Sequence, residues 1–126
     1  MRVLLLKTFR RFQRRGGIAD VALAEAVARA ERGLIDAGLG GGLIKQRVAR
    51  LGGGKSGGYR TVIAYREGTR AEFLLGFAKS ERDNIDDDEL ADLRKLGAAA
   101  LSNDEAAIDG ALAASKLWEI DYDDED

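Results

Sequence analysis

The chain has 126 residues, a formal net charge of −2, and neither Cys nor His. That length fits one domain with one modest core. The missing residue types exclude disulfides, thiolate zinc sites, histidine triads and histidine general bases. No motif points to a metal or a cofactor, and none is expected. The near-neutral total hides an asymmetry: residues 1–79 carry 16 Lys and Arg against 6 Asp and Glu, and residues 80–126 carry 4 against 16. A basic body of this kind points to a polyanionic partner, nucleic acid first. The plain alternative is a solvated surface whose two halves neutralise each other.

Val3–Lys7 reads as a first strand, too short an apolar run for a signal peptide or a membrane helix. With no Cys, a reducing, cytoplasmic setting without membrane contact is expected. Thr8–Arg15 reads as a helix with Phe9 and Phe12 on one face, broken by Gly16-Gly17. Asp20 is the expected N-cap of a second helix to about Arg32, with Leu23, Val27 and Ala30 inward and Gly33 at its end. Leu43–Arg50, Tyr59–Arg66 and Arg70–Phe77 are expected strands of an antiparallel sheet, the last two joined by a Glu67-Gly68-Thr69 hairpin loop. Asp86-Asp87-Asp88-Glu89 opens a helix with Leu90, Leu93, Leu96 and Ala100 at core spacing, and Ser102 with Glu105 repeats the capping pattern. Leu117-Trp118-Glu119-Ile120 reads as a docked segment. The expected organisation is one domain over residues 1–120 and an acidic tail over 121–126, either solvated or folded over a basic cleft.

Gly54-Lys55-Ser56 invites comparison with a phosphate-binding P-loop, but Ala49 stands where that motif needs its first glycine. The segment also runs from strand to strand, whereas a P-loop joins a strand to a helix. It reads as a long hairpin connection presenting Lys55. Alternation along the strands puts Lys45 and Arg47 on one face, and Arg60 opposite Tyr59, Thr61, Ile63 and Tyr65. Phe73, Leu75 and Phe77 are expected together on one face of the third strand. Lys45, Arg47, Arg50, Lys55, Arg60, Lys79 and Arg82 form a phosphate-binding set, with Tyr59 or Tyr65 able to stack a base. Any one of these cations taken singly reads more readily as a solvated surface charge; as a set within one small sheet they are harder to dismiss.

Four blocks carry a resemblance. They are Lys7-Thr8-Phe9-x-x-Phe12, Asp36-Ala37-x-Leu39-Gly40-Gly41-Gly42-Leu43-Ile44-Lys45-Gln46-Arg47-Val48-Ala49-Arg50, Gly54-Lys55-Ser56-Gly57-Gly58-Tyr59-Arg60-Thr61, and Gly76-Phe77-Ala78-Lys79-Ser80-Glu81-Arg82-x-Asn84-Ile85. From Lys7 to Trp118 the sequence resembles the RelE/HigB-like toxins of type II toxin–antitoxin systems. The resemblance implies a small α+β fold, an antiparallel sheet with an N-terminal helical hairpin on one side and C-terminal helices. It also implies a ribosome-dependent endoribonuclease that cuts messenger RNA and inhibits translation, held inactive by a cognate antitoxin of helix-turn-helix type. Arg60 then matches the arginine for the scissile phosphate, and Lys79 and Arg82 the basic segment after the last strand. Lys45 and Arg47 match the strand that supplies the cleft.

Such chemistry needs no metal: the RNA 2′-hydroxyl attacks the adjacent phosphate while the protein orients, moves a proton and stabilises charge. Arg60 is assigned charge stabilisation. Lys45 or Lys79 serves as base if crowded cations lower its pKa, with Tyr59 or Tyr65 as acid or stacking group. Two other readings stay open: a ParE-like toxin that binds DNA gyrase without cutting, and a non-enzymatic nucleic-acid-binding module. Convergence of Lys45, Arg60 and Lys79 on one cleft separates the first reading from the ParE-like one. Oligomeric state is not legible.

Overall fold

The computed structural model describes residues 1–49, 58–82 and 84–122. In chain order the elements are β1 (Arg2–Leu6), α1 (Lys7–Gly16), α2 (Asp20–Glu31), β2 (Ala37–Gly40), β3 (Leu43–Val48), β4 (Tyr59–Arg66), β5 (Arg70–Ala78), α3 (Asp87–Ser102), α4 (Glu105–Ala113) and β6 (Leu117–Ile120). Six strands form one sheet in the order β2-β3-β4-β5-β1-β6. Every pairing is antiparallel except that of β1 with β5. The fold is thus α+β, and the sheet is mostly antiparallel.

β1 is an interior strand, parallel to β5 on one side and antiparallel to β6 on the other. Val3, Leu4 and Leu5 are all fully buried, and an uninterrupted apolar strand needs cover on both faces, as interior parallel strands have. On one face α1 and α2 supply Phe9, Leu23, Ala26, Val27 and Ala30 to a cluster with Val3, Leu5, Ile44, Val48, Ile63 and Phe73. On the other face Leu93 and Ala100 of α3 pack on Leu43, Val62, Ala64 and Leu74. There Ile108 of α4 meets Leu4 and Leu117. The helical hairpin and the C-terminal helices therefore cover opposite faces of the sheet.

Several local expectations are corrected. Asp20 is the first residue of α2 and not its cap; Ala19 holds that place, and the Asp20 carboxylate accepts from Gln13 Nε2 at 2.6 Å. Asp104 rather than Ser102 caps α4, accepting from the Ala107 amide at 2.8 Å, while the Ser102 hydroxyl donates to the Ala99 carbonyl. Asp86 does cap α3, through the Glu89 amide. Leu96 is 45% exposed; Gly97 takes the inward position, where an added Cβ would sit 2.5 Å from Leu43 Cδ2. A bulge in β5 opposite Val62 and Ile63 breaks the expected alternation. Phe73 thereby joins the cluster under α1 and α2, and Leu75 packs against the one under α3.

The docked segment at Leu117 is a true edge strand, paired with β1. The tail's last described residue, Tyr122, packs against the core near Tyr65. That is the end of β4 opposite to Arg60, about 16 Å away at the rise of a strand.

Candidate functional site

β3 and β4 pair so that Arg47 stands directly opposite Arg60, with Lys45 opposite Val62. Cross-strand partners share a face, and like charges placed directly opposite destabilise a sheet. This face is the one that carries Val62 and Ala64 under α3. At the end of the sheet it opens into a cleft of about 350 Å³ lined by Glu25, Arg29, Arg47, Val48, Ala49, Gly58, Arg60 and Lys79. Three of the residues proposed from sequence, Arg47, Arg60 and Lys79, thus meet in one cavity. Neither Arg60 nor Lys79 has a side-chain hydrogen bond or ion pair to another described residue.

The remaining members fall elsewhere. Lys45 lies two residues along β3 from Arg47 and is not part of the cleft lining. Arg82 is tied down beside it: its guanidinium carbon sits 4.6 Å from the centre of the Phe77 ring and its Nη2 donates to Glu89 at 3.0 Å. Phe77 is the cross-strand neighbour of Arg60, so Arg82 borders the arginine pair from the β5 side. Tyr59 points to the opposite face; it is 8% exposed, its ring meets Phe12 edge-on, and its hydroxyl donates to the Gly16 carbonyl. The ring expected to stack a base is a core ring. Tyr65 is at the far end of β4, where its hydroxyl donates to Glu31, and burial together with that carboxylate pushes the phenol well above its ordinary pKa. Arg50 and Lys55 lie outside the described residues.

Two residues of the lining, Glu25 and Arg29, were not drawn from the sequence; they form an i,i+4 ion pair on α2, a spacing common on solvated helices and so no signal of a site. Arg29 Nε donates to both Glu25 oxygens at 3.1 and 2.9 Å, and its Nη2 donates to the Arg47 carbonyl. Asp36 completes the ring: its Oδ2 accepts from the Arg47 amide at 2.7 Å and lies 3.5 Å from Arg47 Nε and 3.8 Å from Arg29 Nη1. Beneath, fully buried Gln46 accepts from the Asp36 amide and donates to the Ala26 and Leu34 carbonyls, fixing β3 to α2. The end of β3 that carries Arg47 is therefore held from three sides.

A cleft with Arg60 and Lys79 unanswered, Arg47 held against Asp36, and Glu25 as the one carboxylate on its described lining can receive a phosphodiester. Among the described residues no His/Cys/Asp/Glu cluster has the arrangement of a metal site, and no helix is long and apolar enough to cross a membrane. A search of curated proteins finds no significant match. A family model described as the RelE toxin of the RelE/RelB toxin–antitoxin system matches residues 1–120. With that match spanning all ten elements, and with the fold it leads one to expect, the chain belongs to the RelE family of toxins, whose members partner with a cognate antitoxin.

Proposed function

We propose that this toxin is a ribosome-dependent messenger RNA endoribonuclease working by metal-independent transesterification at the Arg47–Arg60–Lys79 cleft. The observation that carries the reading is the opposed pair Arg47 and Arg60 beside Lys79, because such a cluster becomes favourable only when a polyanion fills it. Arg60 grips the scissile phosphate and stabilises the charge that builds on its oxygens as the 2′-oxygen adds. Arg47, anchored by Asp36, holds the phosphate from the facing strand. Glu25 accepts the 2′-hydroxyl proton and Lys79 donates one to the departing 5′-oxygen, leaving a 2′,3′-cyclic phosphate. Arg82, on Phe77, adds positive potential at the border of the cleft. Lys45, outside the lining, is assigned to backbone contact and not to proton transfer.

Of the three residues whose convergence separates cutting from the binding-only action of a gyrase poison, Arg60 and Lys79 meet in the cleft and Lys45 does not; Arg47 opposite Arg60 supports cutting in its place. On this reading the ribosome presents the message, and an antitoxin of helix-turn-helix type silences the toxin by covering the basic face. Tyr122, which anchors the start of the acidic tail, packs near Tyr65 at the end of β4 away from Arg60. Residues 123–126 lie outside the described residues, and their deletion, expected to raise toxicity if they cover the cleft, tests the inhibitory role.

Transcript 5′-end mapping after brief induction, comparing the wild-type chain with Arg60→Ala, tests this. New ends inside translated frames, lost in the variant and absent from messages cleared of ribosomes, are expected. Growth arrest without new ends overturns the nuclease reading and moves the protein to a binding toxin.

A further inference from the structure

A second basic surface lies outside the cleft. α1 contains no acidic residue and five cations. Among the described residues only Arg10 is answered, by Gln13 at 2.8 Å and Asp20 at 3.8 Å. Lys7, Arg11, Arg14 and Arg15 are exposed and have no ion pair or side-chain hydrogen bond with another described residue. Their spacing of four, three and one puts them on one stripe of the helix, running about 12 Å along its axis. Thr8, Arg11, Arg14 and Arg15 line a shallow depression there.

Helix electrostatics accounts for part of this pattern. Arg14 and Arg15 suit the negative C-terminal end of the dipole, but Lys7 sits at the positive end, and Lys7–Arg11 and Arg11–Arg15 are repulsive i,i+4 pairs. A stripe arranged against the helix's own interests is explained by what it meets.

We infer that the outer face of α1 is a docking site for the phosphate backbone of double-stranded RNA, separate from the cleft that takes the reacting strand. Large exposed apolar side chains among the described residues are Val21, Leu34, Ile35 and Leu96, none of them on α1. The stripe therefore lacks the apolar centre a protein partner needs. It also presents no fully exposed aromatic ring for unpaired bases: Phe9 is buried against Phe73, and half-buried Phe12 meets Tyr59 edge-on. Four cations and a hydroxyl, three of the cations arginines, match backbone oxygens instead, and duplex RNA is read through its backbone and shape. The site adjoins the cleft: Arg15 lines a groove with Tyr59, Ala78 and Ser80, the neighbours of Arg60 and Lys79. A structured RNA on α1 would so bring a single strand held beside it to the arginine pair. The choice of RNA over DNA rests on the function proposed above; the presence of a backbone site does not.

The test is binding of the purified chain to a short fluorescein-labelled RNA duplex, read by anisotropy as KCl is raised. Arg11→Gln/Arg14→Gln/Arg15→Gln should flatten the plot of log K against log salt by roughly two to three, at about 0.9 for each phosphate left without its cation. Arg47→Gln/Arg60→Gln should leave most of that slope in place. The substituted α1 side chains support no other described residue, and circular dichroism checks that the helix survives. An unchanged slope in the α1 variant, or equal flattening in the cleft variant, overturns the inference. Unchanged duplex binding with loss of antitoxin binding overturns it too and gives the face to a protein. Since cleavage is not read, a chain that binds through α1 yet produces no new transcript ends sinks only the nuclease reading.

Discussion

Arg47 and Arg60 face each other on neighbouring strands, a placement that strand alternation made readable in each strand separately but not as a pair. Their pairing depends on the register of β3 against β4, which the length of the glycine-rich connection left open. The tyrosines fail for a related reason. Alternation correctly put Tyr59 and Tyr65 opposite Arg60, yet only the two-sided helical cover shows that their face is the one buried under α1 and α2. Glu72 is a residue no pattern singled out: it is 5% exposed on β5, and burial raises its pKa despite the opposing pull of Arg70. A carboxyl whose pKa is raised on folding favours the folded state when protonated. That contribution is present below the ordinary glutamate range and is lost as pH rises through the raised value. Glu72→Gln is therefore expected to raise Tm at neutral pH, with the advantage shrinking toward zero in acid, as thermal melts across a pH series will record. A variant less stable than wild type at neutral pH would show that the Glu72 charge is stabilising.

At the level of elements, the strands joined by the tight hairpin are the most legible, because Glu67-Gly68-Thr69 fixes both their ends; Gly68 has φ of 71°. β2 went unseen. Its sequence Ala37-Gly38-Leu39-Gly40 has almost no strand propensity, and it exists because β3 offers it an edge. The bulge in β5 was equally hidden, since an extra residue leaves no mark on composition. Its consequence is visible at Gly76, where an added Cβ would lie 2.3 Å from Phe12 Cε2 and 2.9 Å from Phe9 Cε1. Neither ring can swing away, because Phe9 packs on Phe73 and Phe12 on Tyr59. Gly76→Ala is expected to cost about 1–3 kcal/mol through overpacking, read as a lower urea midpoint with an unchanged slope. A shift of a few tenths would mean that α1 moves off the sheet at little cost.

For the molecule as a whole, one side chain closes the structure. Arg2 at the start of β1 donates through Nε and Nη2 to the two Glu119 oxygens of β6 at 2.9 and 2.8 Å, and also pairs with Glu105 and Asp109 of α4. These bonds hold the Glu119 carboxyl below its usual pKa. The contribution is present above the ordinary glutamate range and is lost as pH falls through the depressed value. Because the acids are largely solvated, Arg2→Met is expected to cost only about 1 kcal/mol. Amide exchange in β6 and α4 should quicken while that in β3–β5 holds, and the difference from wild type should fade in acid. The acidic third of the sequence was thus legible as a counterweight to the basic body, but which cations it answers was not. Among the described residues, Asp104 and Asp86 are spent on helix caps, Glu89 on Arg82, and Glu105, Asp109 and Glu119 on Arg2, and none of them pairs with Arg60 or Lys79.

The interior position of β1 also bears on how the molecule is made. β1 emerges from synthesis before any of its partners; its parallel neighbour β5 begins at Arg70, and β6 follows only at Leu117. Until then Val3, Leu4 and Leu5 form an unpaired apolar ribbon, while the hairpin carrying the cleft closes from residues near in sequence. Long-range closure about β1 is therefore expected to limit the rate, and refolding should be slow for a chain of this size. Trp118, the sole tryptophan, lies on β6 and so reports the last of these pairings in a stopped-flow trace. A tryptophan signal that runs ahead of the far-ultraviolet signal of the sheet would reverse that order.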